Sequence, residues 1–273
     1  MRFFKFIASV FKTYDYRDIF LSLFAVAIFL LMIVKMIFFP YGLFGFGESN
    51  IYTEGLVARN GIQNVNPLFV DYNEADREIS RLVFSGLMKY DPAKRAIVDD
   101  MASLTINESK TEYTLEIRKG IKWHDGEDFT IDDVLFTFND VILAPGFQNE
   151  ILKTNFAGVG IEKVDDDTVR FILGSPNIFF VTNLTMGILP EHILGNVDPA
   201  DILTDNFNKR PIGTGPYIVI DAPQLFPDGR MQITLDRSLG YYGELSQIEK
   251  MRFSVYPTMH ALVEDVNAVN AVV

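Results

Sequence analysis

Hydrophobic and polar positions change their rhythm abruptly along this chain. Residues 19–39 read IFLSLFAVAIFLLMIVKMIFF, apolar apart from Ser22 and Lys35. About 20 such residues are needed to cross a hydrocarbon core. A globular core helix keeps a polar face, and this run has none. Lys35 stands near the end of the run, where its stem can reach the interface. The pattern predicts one N-terminal transmembrane helix over 19–39, preceded by a flank over 1–18. The Gly-rich stretch 40–50, PYGLFGFGESN, reads as a tether to the body.

From residue 51 the periods are those of a folded domain. IYTEGLV predicts a first strand, closed by Asn60-Gly61. Asn66-Pro67 marks a turn. Asn73 reads as an N-cap with Asp76 three residues on, opening a helix whose apolar face holds Ile79, Leu82 and Val83 and which Gly86 is placed to end. Tyr113, Leu115 and Ile117 alternate with Thr114, Glu116 and Arg118 as in a strand. Lys119-Gly120 and Asp125-Gly126 bracket a short IKW strand. Thr130 and Asp133 have the spacing of a capping box before a helical stripe of Val134, Leu135, Phe138, Val141 and Ile142. IEKV and TVRFIL predict a hairpin around Asp165-Asp166-Asp167, and Pro190 the first position of a short helix, PEHIL. Strands are expected over 216–222, 230–236 and 251–257. From Thr258 a helical pattern (Ala261, Leu262, Val266, Val269) runs to Val273 with no stop signal, which suggests a fragment. Strands interspersed with helices make the class α/β.

Charge orients the expected anchor. Arg2, Lys5, Lys12 and Arg17 precede the apolar run, and residues 40–49 carry no positive charge. The positive-inside rule puts the N-terminus in the cytoplasm and the body outside, in a periplasmic or extracellular space. A cleavable signal has a shorter apolar region followed by small residues; FPYGLFGFG is bulky, so an uncleaved anchor is expected. Residues 1–40 hold five basic and two acidic side chains, a net +3. Of the total −12, −15 therefore belongs to the body. So acidic a surface repels phosphate backbones and excludes nucleic acid as a partner.

Chemistry is sparse. There is no cysteine, hence no disulfide, thiolate metal site, cysteine nucleophile or lipidated cysteine. The three histidines, His124, His192 and His260, have no metal-ligand spacing, and no G-x-S-x-G elbow occurs. His124 reads as part of a surface turn, Gly213-Thr214-Gly215-Pro216 as a structural turn, and Asp165 to Asp167 as a solvated loop. No catalytic residue, metal site or cofactor is expected.

Four segments taken in order resemble the family 5 extracellular solute-binding proteins of ABC transporters, the oligopeptide, dipeptide and nickel-binding group. They are NPLF with DREISRLVFSGLMKYDP; YTLEIRKGIKWHDGEDFTIDDVLFTFND; PIGTGPYIV; and LDRSLGYYGELSQIEKMRFSVYP. The resemblance covers about Asn64 to Pro257 and implies a type II periplasmic-binding-protein fold with two lobes that close on a ligand. On that pattern 51–90 begins lobe one, 91–190 is an inserted subdomain, 191–257 returns to lobe one, and 258–273 starts a second lobe that is otherwise missing. Two departures stand out: the helix in place of a lipidated cysteine or cleaved signal, and MHALVEDVNAVNAVV in place of a recognisable A-L-x-x-G-E-I-D stretch.

The resemblance implies a monomeric receptor that hands a peptide or other small solute to an ABC permease. A tethered sensor with the same fold, and nickel or haem as ligand, are the alternatives. It also implies that the loop Val70, Asp71, Tyr72, Asn73 and Glu74 touches ligand, with Phe147 a further residue for a side-chain pocket. A helix N-terminus with free N–H donors suits a binder that reads peptide backbone; a simple capping role for Asn73 and Glu74 is the other reading.

Overall fold

The structure, a computed structural model, describes residues 51–70 and 73–272 together with Val26. The membrane helix expected over 19–39 (Val26 apart), its flank and the tether lie outside the described residues, as do Asp71 and Tyr72. From Asn50 onward the chain forms one compact unit.

Its main sheet joins sequence-distant strands. β1 (Ile51–Val57) runs parallel to β11 (Lys250–Tyr256) in unbroken register from Ile51↔Lys250 to Val57↔Tyr256. β10 (Met231–Arg237) lies antiparallel to β11, β8 (Tyr217–Val219) pairs the far edge of β10, and β9 (Gln224–Leu225) forms a hairpin with it. A parallel pair requires a crossover, and here the connection comprises everything between β1 and β11.

Helix α1 (Glu74–Val83) starts at Asn73, whose side chain accepts the Ala75 N–H. Its buried stripe is Ala75, Asp76, Ile79, Ser80 and Val83, a 3.6-residue period. The helix ends at Val83 rather than at Gly86, because Phe84 is already extended. Gly86 instead bridges to Gly187, and a Cβ there would meet the Thr185 carbonyl at 2.7 Å. Close approach of two chains, not helix termination, is what that glycine permits.

Residues 88–172 build two smaller sheets. β2 (Met88–Asp91) and β3 (Ala96–Asp99) form a hairpin. β4 (Ala102–Ile106), β5 (Glu112–Ile117), β6 (Gly160–Lys163) and β7 (Thr168–Ile172) pair antiparallel in the order β4-β5-β7-β6. The inner face carries Tyr113, Leu115, Ile117, Val169 and Phe171, all buried. Phe138 stands edge-on to Phe171 at 5.1 Å and 5.0 Å from Phe156, and Tyr113 lies 5.1 Å from Phe180. Such pairs are worth about 0.5–1.5 kcal/mol each beyond their burial.

Helix α2 (Ile131–Leu135) opens with the expected capping box of Thr130 and Asp133 and then widens to a π-helix over Phe136–Ile142. α3 (Glu150–Phe156) is capped by Asn149. Two expectations are corrected nearby. IKW makes only a single bridge, Lys122↔Asp128, because the Asp-Gly turn doubles back too soon for a strand. Pro190 precedes the short helix α4 (Glu191–Leu194) as its cap.

The helical pattern from Thr258 is also shorter than the spacing predicts. α5 (Met259–Glu264) stops at Asp265, a 3₁₀ turn follows, and Ala271–Val272 (β12) pairs parallel to β1. Residues 266–269 are needed to cross β1: a Cβ on Gly55 would already stand 3.2 Å from Leu262 and Val269.

Candidate functional site

The charged and aromatic residues that stand out in the sequence converge on a buried polar joint. Asp133 is 3% exposed. One carboxylate oxygen accepts the Trp123 indole N–H at 3.2 Å and the Thr130 N–H at 2.9 Å; the other accepts the Glu191 N–H at 2.9 Å. Thr137 continues the joint by donating to the Asp133 carbonyl and accepting the Leu189 N–H. Burial pushes the Asp133 carboxyl above its ordinary range, opposed by those same donors.

His124 clasps the Gly213-Thr214-Gly215 turn. Its Nδ1 accepts the Gly213 N–H at 3.1 Å, which leaves Nε2 to donate to the Gly215 carbonyl at 2.9 Å. This exchange requires the neutral ring, and burial lowers the His124 pKa accordingly. The turn lies hard against α1: Gly215 N–H donates to the Val83 carbonyl, and a Cβ on Gly213 would stand 1.9 Å from that oxygen. His124 is thus a half-buried clasp between the inserted sheets and the main sheet, more than the surface turn its sequence context suggests. The joint is saturated with its own hydrogen bonds, which makes it structural.

An open cleft of about 450 Å³ lies elsewhere, at the carboxyl end of β1. It is lined by Val57 to Asn60, by Gln63, Asn64 and Phe69, by Asn73, Glu74 and Asp76 at the start of α1, and by Leu203. The chain leaving β1 runs to α1, which packs against β8, whereas the chain leaving β11 crosses through α5 to β12. The cleft is built mainly by the chain leaving β1, at the carboxyl end of that strand, the end at which open α/β sheets bind ligands.

The floor of the cleft is held by carboxamides. Asn64 donates to the Leu203 carbonyl and accepts the Asn66 N–H; Asn66 donates to Asn208 and accepts the Leu68 N–H; Asn149 donates to the Leu68 carbonyl. Asn73 caps α1 and donates to the Gly61 carbonyl. Asp76, 1% exposed, accepts the N–H groups of Gln63 and Asn64 at 2.9 and 3.0 Å. Burial still pushes its carboxyl up to about 6.

Of the residues singled out from the sequence, Asn73 and Glu74 line this cleft and Val70 is half-buried beside it. Asp71 and Tyr72 fall outside the described residues. Phe147 is 1% exposed and lies 5.3 Å from Phe69, so it backs the cleft wall from inside the core. Arg59, Gln63 and Asn64 were not among the residues read from the sequence. Only the Asn60-Gly61 turn, which brings them round to α1, signals their place.

Sheet, crossover and cleft together define an α/β domain with an open cleft at the carboxyl end of its first strand. Residues 96–270 match the profile of the bacterial extracellular solute-binding proteins, family 5 (middle part). The chain belongs to that family, which comprises solute-binding proteins and not enzymes.

Over 199 residues it is 31% identical to the oligopeptide-binding protein AppA of Bacillus subtilis, covering 72% of this chain and 36% of that protein. Over 174 residues it is 32% identical to the dipeptide-binding protein of Escherichia coli, covering 56% and 31%. Among solved structures, NikZ from Campylobacter jejuni in complex with Ni(L-His) superposes with a TM-score of 0.69 at 25% identity, covering 81% of this chain and 42% of that one. AppA from Bacillus subtilis in complex with a nonapeptide gives 0.68 at 27%, covering 79% and 42%. The chain spans less than half the length of these relatives.

Proposed function

We propose that this chain is the first lobe of an extracytoplasmic receptor that captures peptides and delivers them to an ABC permease, tethered by the segment 19–39. The observation that carries the reading is the cleft at the carboxyl end of β1. Its lining sets the exposed carboxamides of Asn60 and Gln63, groups able to donate to and accept from a peptide backbone, on a wall that Asn64 and Asn73 hold in place through their own hydrogen bonds. The wall is fixed in advance by the asparagine network beneath it, so little ordering cost falls on binding. The peptide-binding relatives AppA and the dipeptide-binding protein of Escherichia coli support the same ligand class. Capture followed by release requires only that ligand favour a closed state over an open one.

Native mass spectrometry on the complete protein, purified in detergent from its host, tests the reading. Short peptides of mixed sequence are expected to co-purify. A ligand-free protein whose melting temperature is unmoved by a peptide library would overturn it.

A further inference from the structure

Arg59 is the one cation among the residues that line the cleft. The other arginines of this neighbourhood are engaged: Arg77 pairs with Glu74 at 3.5 Å and Glu78 at 4.0 Å, and Arg81 with Glu78 at 2.9 Å. Arg59 makes no ion pair, side-chain hydrogen bond or ring contact among the described residues, and it is exposed immediately beyond the end of β1. Among the described residues, the acidic groups that line the cleft are not available to it in the same way. Glu74 already faces Arg77, and Asp76 is buried with one oxygen on each of two backbone N–H groups. A guanidinium unpaired among the described residues, on a wall that also carries four carboxamides, is a donor fork whose natural complement is a carboxylate.

We infer that Arg59 anchors a carboxylate of the bound ligand at the mouth of the cleft, beside the carboxamides that read its backbone. The inference rests on the peptide-receptor reading above. It adds a specificity element: ligands carrying a carboxylate at that point bind more tightly than the same ligands with the charge removed. A charge-assisted bidentate pair at a partly exposed site is expected to give a preference of about tenfold. The carboxylate has two sources, the C-terminus of a peptide or an acidic side chain, and the test separates them.

Isothermal titration of the complete protein with three probes reads this out: tetra-alanine as free acid, tetra-alanine as C-terminal amide, and the amide with one alanine replaced by glutamate. The wild type should bind the free acid about tenfold more tightly than the amide if the anchor takes a C-terminus, and the glutamate peptide more tightly if it takes a side chain. Arg59→Gln should erase whichever preference is seen and leave affinity for the plain amide unchanged, which also shows that the variant is folded. A preference that survives in Arg59→Gln, or a wild type that binds all three probes equally, overturns the anchor while leaving the receptor reading intact. A wild type that binds none of the three overturns the anchor, and the receptor reading falls with it only if the mixed peptide library also leaves the melting temperature unmoved.

Discussion

Removing the Asp133 carboxylate should loosen the joint between the inserted sheets and the rest of the lobe. In Asp133→Ala three donors lose their acceptor: the Trp123 indole at 3.2 Å and the N–H groups of Thr130 and Glu191, each at 2.9 Å. A buried donor left unsatisfied costs about 1–3 kcal/mol. Thr130 and Glu191 are exposed residues, so water can reach their N–H groups and the full cost falls mainly on the indole, 2% exposed as Trp123 is. The same substitution relieves the penalty of burying a carboxylate, the dominant influence on the raised Asp133 pKa. The balance is a loss of about 1–2 kcal/mol. For a domain of this size that lowers the melting temperature by roughly 2–8 °C.

Trp123 is the sole tryptophan in the chain, so its fluorescence reports on this joint alone. Asp133→Ala should shift the emission to the red as the indole gains water, and melt earlier by the stated margin. Asp133→Asn, which keeps one acceptor oxygen, should fall between the variant and the wild type. If Asp133→Ala melts within 1 °C of wild type with unchanged emission, burial of the carboxylate cancels its hydrogen bonds, and Asp133 is not the hub of the joint.

Two further outcomes follow from geometry nearby. Gly213→Ala places a Cβ 1.9 Å from the Val83 carbonyl and must displace backbone, at a cost of about 2–4 kcal/mol; Gly120→Ala, with φ +80 but open space around it, should cost only about 1 kcal/mol by thermal melt. The Asp76 carboxyl is raised from 3.8 to about 6, so its contribution to stability is fully present below about pH 3.8 and lost as pH rises through 6. Urea titrations should find the stability difference between wild type and Asp76→Asn falling by up to about 3 kcal/mol from pH 4 to pH 7, and a flat difference would refute the assignment.

The elements best read from the sequence were those whose signals are local. Asn73 and Thr130 cap as their spacing predicts, and the alternation of Tyr113, Leu115 and Ile117 marks the buried face of β5. At Gly86 and in the last helix, where the reading erred most, a non-local partner decided the outcome. Gly86 looks like a helix terminator until Gly187 is seen across from it. The stretch from Thr258 has a continuous helical period, yet α5 ends at Glu264 because the chain must reach the edge of β1 and pair there as β12. The π-helical turn over Phe136–Ile142 leaves no mark in the pattern, since Phe138, Val141 and Ile142 are buried in either geometry.

The family motifs and the cleft lining are written in different residues, and that division explains why the first were more legible than the second. The motifs that carry the resemblance, W-H-D-G, T-x-x-D-V and G-T-G-P, converge on the joint of Trp123, His124, Asp133 and Gly213 to Gly215. Their types are dictated by close contact: an indole that needs an acceptor, a ring that must be neutral, glycines where a Cβ would strike a carbonyl. The cleft is lined instead by Arg59, Asn60, Gln63 and Glu74, residues that occur on any protein surface and whose spacing carries no period. They line one cleft only because the Asn60-Gly61 turn and the start of α1 bring them together beyond the end of β1. A chain of this fold can therefore keep its joint unchanged while the exposed side chains that line the cleft vary. Charge at position 59 is the point in this chain where that freedom has the clearest chemical consequence.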